Sequence, residues 1–292
     1  MQTEDNLKDF LDRLYTTFDV RLLSPDPLQL VRDFDDPHDR EIAGFLGSSL
    51  AYGRVERILF SVERVLSAMD GEPYAFVTHF DPVEDATRFE GFVHRFNRGR
   101  DVACLLFFLQ QAIDQYGSLE AMFMDGYCEE DKDVGRALAR FVDRFLGCDC
   151  SPFYRDGILP PDAGVRFFLP SPVDGSACKR LNLFLRWMVR CGSDGLDLGV
   201  WRSIAPSKLV MPVDTHVARI ARNMGLTERK QADWRMAIEL TERFRVFDAE
   251  DPVKYDFALC HWGMLEARGQ RPEARSQKQE KTLLVSGFWG GD

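Results

Sequence analysis

The chain has 292 residues, a formal net charge of −10 and 45% apolar residues, which is enough to bury a large core in one big domain or two closely packed lobes. Its charge-free stretches reach only about a dozen residues, whereas a membrane-crossing helix needs roughly 20 apolar residues. We therefore expect no membrane partner. The first residues also lack the basic and apolar blocks of a signal peptide, so we expect a cytoplasmic protein.

The charge is distributed unevenly. Residues 1–150 carry 16 Lys and Arg against 29 Asp and Glu, whereas residues 151–250 carry 15 against 12. A locally basic face can bind phosphates on a protein that is acidic as a whole. An ordinary solvated surface explains the same distribution equally well, so charge alone leaves both interpretations open.

The seven cysteines are irregularly spaced, and no CxxC pair occurs. Such a set is typical of reduced thiols rather than of a disulfide framework. A lone Cys148-Asp-Cys150 is too sparse for zinc or an iron–sulfur cluster. We therefore predict no metal and no cofactor.

Apolar residues recur with a helical period along almost the whole chain. The first stripe is Leu7, Phe10, Leu11, Leu14 and Phe18. Further helices are predicted at residues 39–52, 55–69, 105–116 and 138–145. No segment shows sustained alternation of apolar and polar residues, and no hairpin dipeptide separates strand-like runs. We therefore predict an all-α fold.

Residues 148–172 are rich in Pro, Gly and Asp and are typical of a long connection. We place a domain boundary there, between an N-terminal helical lobe at 1–150 and a second lobe at 151–267. From residue 268 the chain turns polar and then ends in a short apolar segment. Residues 268–292 are therefore interpreted as a C-terminal tail that docks on the body as an arm or is partly disordered.

Lys179 is predicted in the opening turn of a strongly periodic helix. One face of that helix is apolar, at Leu181, Phe184, Leu185, Met188 and Val189. The helix dipole disfavours a cation at this end, and Arg180 follows directly. An amine in this place is suited to nucleophilic chemistry, although an ordinary surface lysine is the simpler interpretation.

Asp214 precedes a helix with apolar residues at Val217, Ile220, Ala221 and Met224, closed by Gly225. It is well placed as an N-cap, where its carboxylate accepts backbone N–H bonds. A capping carboxylate that faces a groove can also stabilise a developing cation or orient a nucleophile. Capping alone is sufficient to explain an aspartate here.

The segments GSACKRLN (residues 175–182) and VDTHVARIARNMGL (residues 213–226) resemble the helix-hairpin-helix–GPD superfamily of DNA glycosylases, in its endonuclease III and 8-oxoguanine glycosylase branches. In that pattern a hairpin supplies a Schiff-base lysine, and a Val-Asp-Thr/Val-His segment supplies an essential aspartate. The resemblance implies a two-lobed, all-α fold of this glycosylase type. Most of the chain also resembles an uncharacterised bacterial protein family, through phrases such as LAYGR (50–54) and HRFN (94–97).

The function implied by the resemblance is base-excision repair of damaged duplex DNA, on lesions such as oxidised purines, among them 8-oxoguanine. Lys179 matches the nucleophile, which attacks C1′ of a flipped nucleotide. Asp214 matches the aspartate that stabilises the resulting positive charge. The imine that forms implies abasic-site lyase activity as well.

Further residues are assigned to DNA from their positions. Main-chain N–H groups around Gly175 would hold a phosphate at a helix mouth. The DNA-contacting side chains are predicted to be Arg180, Lys208, Arg219, Arg222, Tyr52 and Arg54. The predicted base pocket comprises Trp187, Trp201 and His216. Core packing for the aromatic residues, and a structural hydrogen bond for His216, are the alternatives.

Two other functions stay open. Ala177 stands where the superfamily has its second hairpin glycine, so the chain is alternatively a nucleic-acid-binding protein whose chemistry has lapsed. The other alternative is that the chain is an all-α interaction protein, in which Lys179 and Asp214 form a structural ion pair.

Overall fold

A computed structural model describes residues 4–192 and 194–267. The predicted tail at 268–292 lies outside the described residues. Within them the chain forms twelve α-helices. These are α1 (Glu4–Thr17), α2 (Leu28–Arg32), α3 (Pro37–Ser49), α4 (Val55–Ser67), α5 (Pro73–Thr78), α6 (Gly99–Tyr116), α7 (Leu119–Met124), α8 (Gly135–Leu146), α9 (Lys179–Val189), α10 (Thr215–Asn223), α11 (Trp234–Arg245) and α12 (Asp256–Ala267).

The fold is mostly helical, which confirms the all-α prediction at the level of fold class. Helices α1, α3, α4, α6 and α8 cover the predicted apolar stripes. The start of α3 follows from its sequence, because Asp36 caps it by accepting from the His38 and Asp39 amides and Pro37 occupies its first position.

One short hairpin interrupts the helices. Strands β1 (Val93–His94) and β2 (Asn97–Arg98) pair antiparallel around a turn at Arg95 and Phe96. The sequence did not predict it, because strands of two residues are too short to show an alternating pattern. Short 3-10 helices complete the connections, at Val20–Leu22, Asp85–Phe89, Arg155–Gly157, Gly164–Phe168 and Pro206–Lys208.

Helices α3 and α9 pack against each other at the centre of the molecule. The approach is close at Gly44, where an added Cβ would lie 2.6 Å from Cε of Met188. Phe45 on α3 meets Phe184 on α9 edge to face, with ring centroids 5.1 Å apart. Buried side chains from both predicted lobes belong to one continuous core, and the division into two lobes stays a prediction.

Helix α12 packs against α10 and α1. Gly263 permits the contact with α10, because an added Cβ there would lie 2.4 Å from Cδ1 of Ile220. The first residue of α12, Asp256, pairs with Arg186 of α9. Among residues 4–192 and 194–267, no helix combines the length and apolar character that a membrane crossing requires.

Candidate active site

Lys179 is the first residue of α9, as the sequence predicted. The preceding turn brings it beside the end of α3, where its Nζ donates to the carbonyl of Ala51 at 3.3 Å. The side chain is half-buried. One carbonyl leaves the ammonium group with donors to spare, since a lysine carries three.

Asp214 is the N-cap of α10, which confirms the predicted cap. Its Oδ1 accepts from the amides of His216 and Val217, each at 2.8 Å. Because both bonds go to one oxygen, the cap does not require the second oxygen of the carboxylate. The side chain is half-buried rather than enclosed.

Lys179 and Asp214 line the same cleft, which has a volume of about 920 Å³. Its walls come from the starts of α9 and α10, from α12, and from residues 25–27 and 51–56. Among the ion pairs of the described residues, none joins Lys179 to Asp214. The amine and the carboxylate therefore face a shared space without neutralising each other directly.

The floor of the cleft contains a charged pair that the sequence did not indicate. Asp256, the first residue of α12, forms an ion pair with Arg186 of α9, and both side chains are buried. Burial raises the pKa of the Asp256 carboxyl from 3.8 to about 6, against the opposing effect of the Arg186 cation. Asp214 also raises this pKa and Lys179 lowers it, as expected for charges that share one site.

Two buried polar atoms on residues that line the cleft lack a partner within the described part of the chain. Arg186 is 3% exposed, and its Nη2 makes no hydrogen bond. His261 is 8% exposed, and its Nδ1 lies 3.0 Å from the carbonyl of Phe257, so Nδ1 carries the proton and Nε2 is left as an unpaired acceptor. Burial lowers the pKa of His261, which favours this neutral form.

The cleft also brings together four other predicted residues. Tyr52, Arg54, Arg180 and His216 all line it. Arg54 is exposed at the start of α4, whereas Arg180 is buried and donates to the carbonyls of Ser49 and Phe167. Burial lowers the pKa of Arg180 to about 10. Because two of its donors are bound to main-chain carbonyls and the side chain is buried, Arg180 supports the cleft wall rather than reaching out to a phosphate.

Three predicted phosphate-binding cations do not line the cleft. The Nζ of Lys208 donates to the carbonyls of Glu129 and Asp131, each at 2.7 Å, and so anchors the loop before α8. Arg219 donates to the carbonyl of Gly263 at 3.2 Å. Arg222 is exposed on α10. None of the three is placed to contact a ligand inside the cleft.

The amide of Gly175 itself does not have the predicted role of binding a phosphate, because it already has a partner. That N–H donates to the carbonyl of Pro172 at 3.0 Å, and the carbonyl of Gly175 accepts from the amide of Trp234 at 3.0 Å. The turn is thus tied to α11, and the amide is not available to a phosphate. The element before this turn is the 3-10 helix Gly164–Phe168.

Trp187 and Trp201 belong to the core, so their assignment to a base pocket is wrong. Trp187 is fully buried on α9. Trp201 packs edge to face on Phe184, and its Nε1 donates to Glu41 at 2.7 Å. Neither ring lines the cleft. The predicted apolar face of α9 did not include Trp187, because this helix is buried on every side rather than on one face.

The residues missed by the sequence analysis come from distant parts of the chain. Asp26, Arg186, Asp256, Cys260 and His261 line the cleft together with Lys179 and Asp214. For two of these residues the sequence did contain a signal. Arg186 and Asp256 are ionisable residues that lie among apolar neighbours in their helices. Such residues are rarely buried without a partner.

A family model described as "Protein of unknown function (DUF2400)" matches residues 26–265. Comparisons with curated proteins and with solved structures gave no match. The matched range covers most of the chain and includes every cleft-lining residue except Pro25. The chain therefore belongs to the family described as Protein of unknown function (DUF2400).

Proposed function

We propose that the protein is a DNA N-glycosylase of the helix-hairpin-helix type, with abasic-site lyase activity, that acts in base-excision repair through Lys179 and Asp214. The observation that carries the proposal is that these two residues, 35 positions apart in the sequence, line one cleft of about 920 Å³. That volume lies within the usual range of small-molecule pockets. A damaged nucleotide would enter the cleft after flipping out of the duplex.

The proposed reaction begins at C1′ of the flipped deoxyribose. The unprotonated amine of Lys179 forms a bond to C1′ while the glycosidic bond breaks, and the base leaves with the bonding electrons and takes up a proton. Asp214 stabilises the positive charge that develops on the sugar and accepts the proton that the amine loses. The C1′–O4′ bond then breaks as Asp214 returns that proton to O4′, which gives an open-chain protonated imine. Transfer of a C2′ proton to the Asp214 carboxylate then breaks the C3′–O3′ bond and expels the 3′-phosphate.

The floor of the cleft supports a base rather than a phosphate as the deeply bound group. Arg186 offers an unused donor and His261 an unused acceptor, a combination that the edge of a nucleobase can satisfy. A phosphate has only acceptors at neutral pH and would face the carboxylates of Asp26, Asp214 and Asp256. The proposal therefore places the base on the floor and the backbone phosphates at the mouth.

Borohydride trapping tests the proposal. The full-length protein is incubated with duplex oligonucleotides that carry 8-oxoguanine, uracil, an oxidised pyrimidine or an abasic site, and borohydride reduces any imine to a stable amine. We expect a covalent adduct with at least one of these duplexes. Lys179→Gln removes the amine and should abolish the adduct.

Asp214→Asn provides a matched variant, because asparagine caps a helix as well as aspartate but carries no charge. We expect it to fold normally and to slow adduct formation by about a hundredfold or more. Binding without trapping would favour the lapsed nucleic-acid-binding protein. Absence of both binding and trapping would contradict any role with DNA.

A further inference from the structure

We propose that the tip of the β1–β2 hairpin is a stacking surface for nucleic acid, on which a base next to the cleft stacks against Phe96. The proposal adds a second contact surface, outside the cleft. Only the position of that base, beside the flipped nucleotide, rests on the proposed function.

Phe96 is an exposed aromatic residue in an ordered cluster. It is 53% exposed, and its neighbour Phe167 is 36% exposed. The two rings meet edge to face with centroids 4.3 Å apart. Tyr52 stacks on Phe96 with ring centroids 5.6 Å apart and also meets Phe167 at 4.8 Å. The cluster thus supports Phe96 from within and leaves part of its ring open to a planar ligand.

Buried polar contacts hold the hairpin in place. Asn97 is buried, accepts from the hydroxyl of Tyr52 and donates to the carbonyl of Gly164 at 2.8 Å. His94 is buried as well, with its ring nitrogens 2.8 Å from Oγ of Ser61 and 3.0 Å from the carbonyl of Tyr52. Because the base of the hairpin is fixed on both strands, Phe96 is presented without a large further loss of conformational entropy on binding.

The hairpin tip adjoins the cleft. Tyr52 lines the cleft and contacts Phe96. Arg95 lies over Gly53, another lining residue, with its Cδ 3.3 Å from the position of an added Cβ. A strand that delivers one nucleotide into the cleft would therefore place its neighbouring base near Phe96.

The charge of the hairpin favours nucleic acid over a protein partner. Residues 91–100 contain three arginines and no acidic residue, within a half of the chain that is strongly acidic. Arg95, in the turn itself, and Arg98, at the end of β2, are both exposed. Cations that flank an exposed ring are the combination that binds the phosphates and bases of single-stranded or opened DNA.

The test uses the full-length protein and a duplex that carries a tetrahydrofuran abasic analogue, which cannot form an imine, with 2-aminopurine beside it. Anisotropy gives Kd, and 2-aminopurine fluorescence reports stacking. We expect Phe96→Ala to raise Kd about tenfold or more and to abolish the quenching seen with the wild type. Phe96→Trp should retain both.

Phe60→Ala is the matched control, because Phe60 is 55% exposed and does not line the cleft. It should leave Kd and quenching unchanged, and thermal denaturation should show that both alanine variants are folded. If Phe96→Ala binds and quenches like the wild type, or if the wild type does not bind the duplex, the stacking proposal is overturned. If Phe96→Ala weakens binding but the wild type gives no borohydride adduct, the stacking surface stands and the glycosylase proposal fails.

Discussion

Arg186 and Arg190 lie four positions apart at the end of α9, and both are buried, yet their surroundings differ. Each nitrogen of Arg190 has a partner: Nε bonds to Asp251, Nη1 to Asp194 and Asp197, and Nη2 to Tyr15. Arg186 bonds to Asp197 and Asp256 through Nε and Nη1, and its Nη2 is left over. Every nitrogen of Arg190 is thus bound, whereas Arg186 keeps an unused donor and lines the cleft.

The contrast distinguishes a buried cation whose nitrogens are all bound from one that keeps an unused donor beside the cleft. A buried ion pair contributes little net stability, but removal of one partner is costly because it leaves the other charge unpaired. Arg190 has three carboxylates that depend on it. The unsatisfied donor of Arg186 is unfavourable for stability, and under the proposed function a bound base would relieve it.

The largest expected effect is on stability. Arg190→Met leaves Asp194 and Asp251, whose side chains are only 5% and 20% exposed, without their cation, so we expect the free energy of unfolding to fall by about 3–5 kcal/mol. Arg186→Met should lower the free energy of unfolding by less, about 2 kcal/mol, because Asp197 stays paired with Arg190 and Asp256 can take up a proton. Urea denaturation of both variants measures the difference. Equal losses would remove the distinction between the two arginines.

The cost of Arg186→Met should depend on pH. Burial already places the pKa of Asp256 at about 6, above 3.8, and loss of the cation raises it further. A carboxyl with a raised pKa in the folded state destabilises the fold as it ionises, so the loss should be larger at about pH 8 than at about pH 5.

A double variant serves as the control for this pH dependence. Arg186→Met combined with Asp256→Asn has no carboxyl to titrate at that site, so the extra loss at high pH should disappear. If the single and double variants show the same pH dependence, Asp256 is not its source.

His94 should give a smaller dependence of the free energy of unfolding on pH, and one of opposite sign. Burial lowers the pKa of this histidine from 6.5, and its hydrogen bonds to Ser61 and Tyr52 suit the neutral ring. Its contribution to stability is present above pH 6.5 and is lost as the pH falls, because the unfolded state then binds the proton more tightly. Relative to His94→Gln, the wild type should lose up to about 1 kcal/mol between pH 7 and pH 5 in urea denaturation. A constant difference would contradict the assignment.

Local patterns predicted the parts of the site that lie on single helices. The period of residues 181–189 placed Lys179 in the first turn of α9, and Asp214 was identified as a cap from its own helix. Both predictions depend on interactions within a few residues, which the sequence displays directly.

The rest of the site depends on contacts between distant segments. Asp256 meets Arg186 across 70 positions, and its role depends on the close packing of α12 at Gly263. Tryptophan and lysine often bind ligands, but here Trp187 packs in the core and Lys208 anchors a loop. The hairpin at residues 93–98 has strands too short to leave a pattern.

The most direct test of the central claim is the location of the covalent bond. After borohydride reduction on an abasic-site duplex, the adduct is digested with a protease, and mass spectrometry identifies the modified peptide. We predict that the deoxyribose-derived mass lies on Lys179, in wild type and in Phe96→Ala alike. An adduct on another lysine, such as Lys208 or Lys254, would contradict the account, and so would the absence of an adduct.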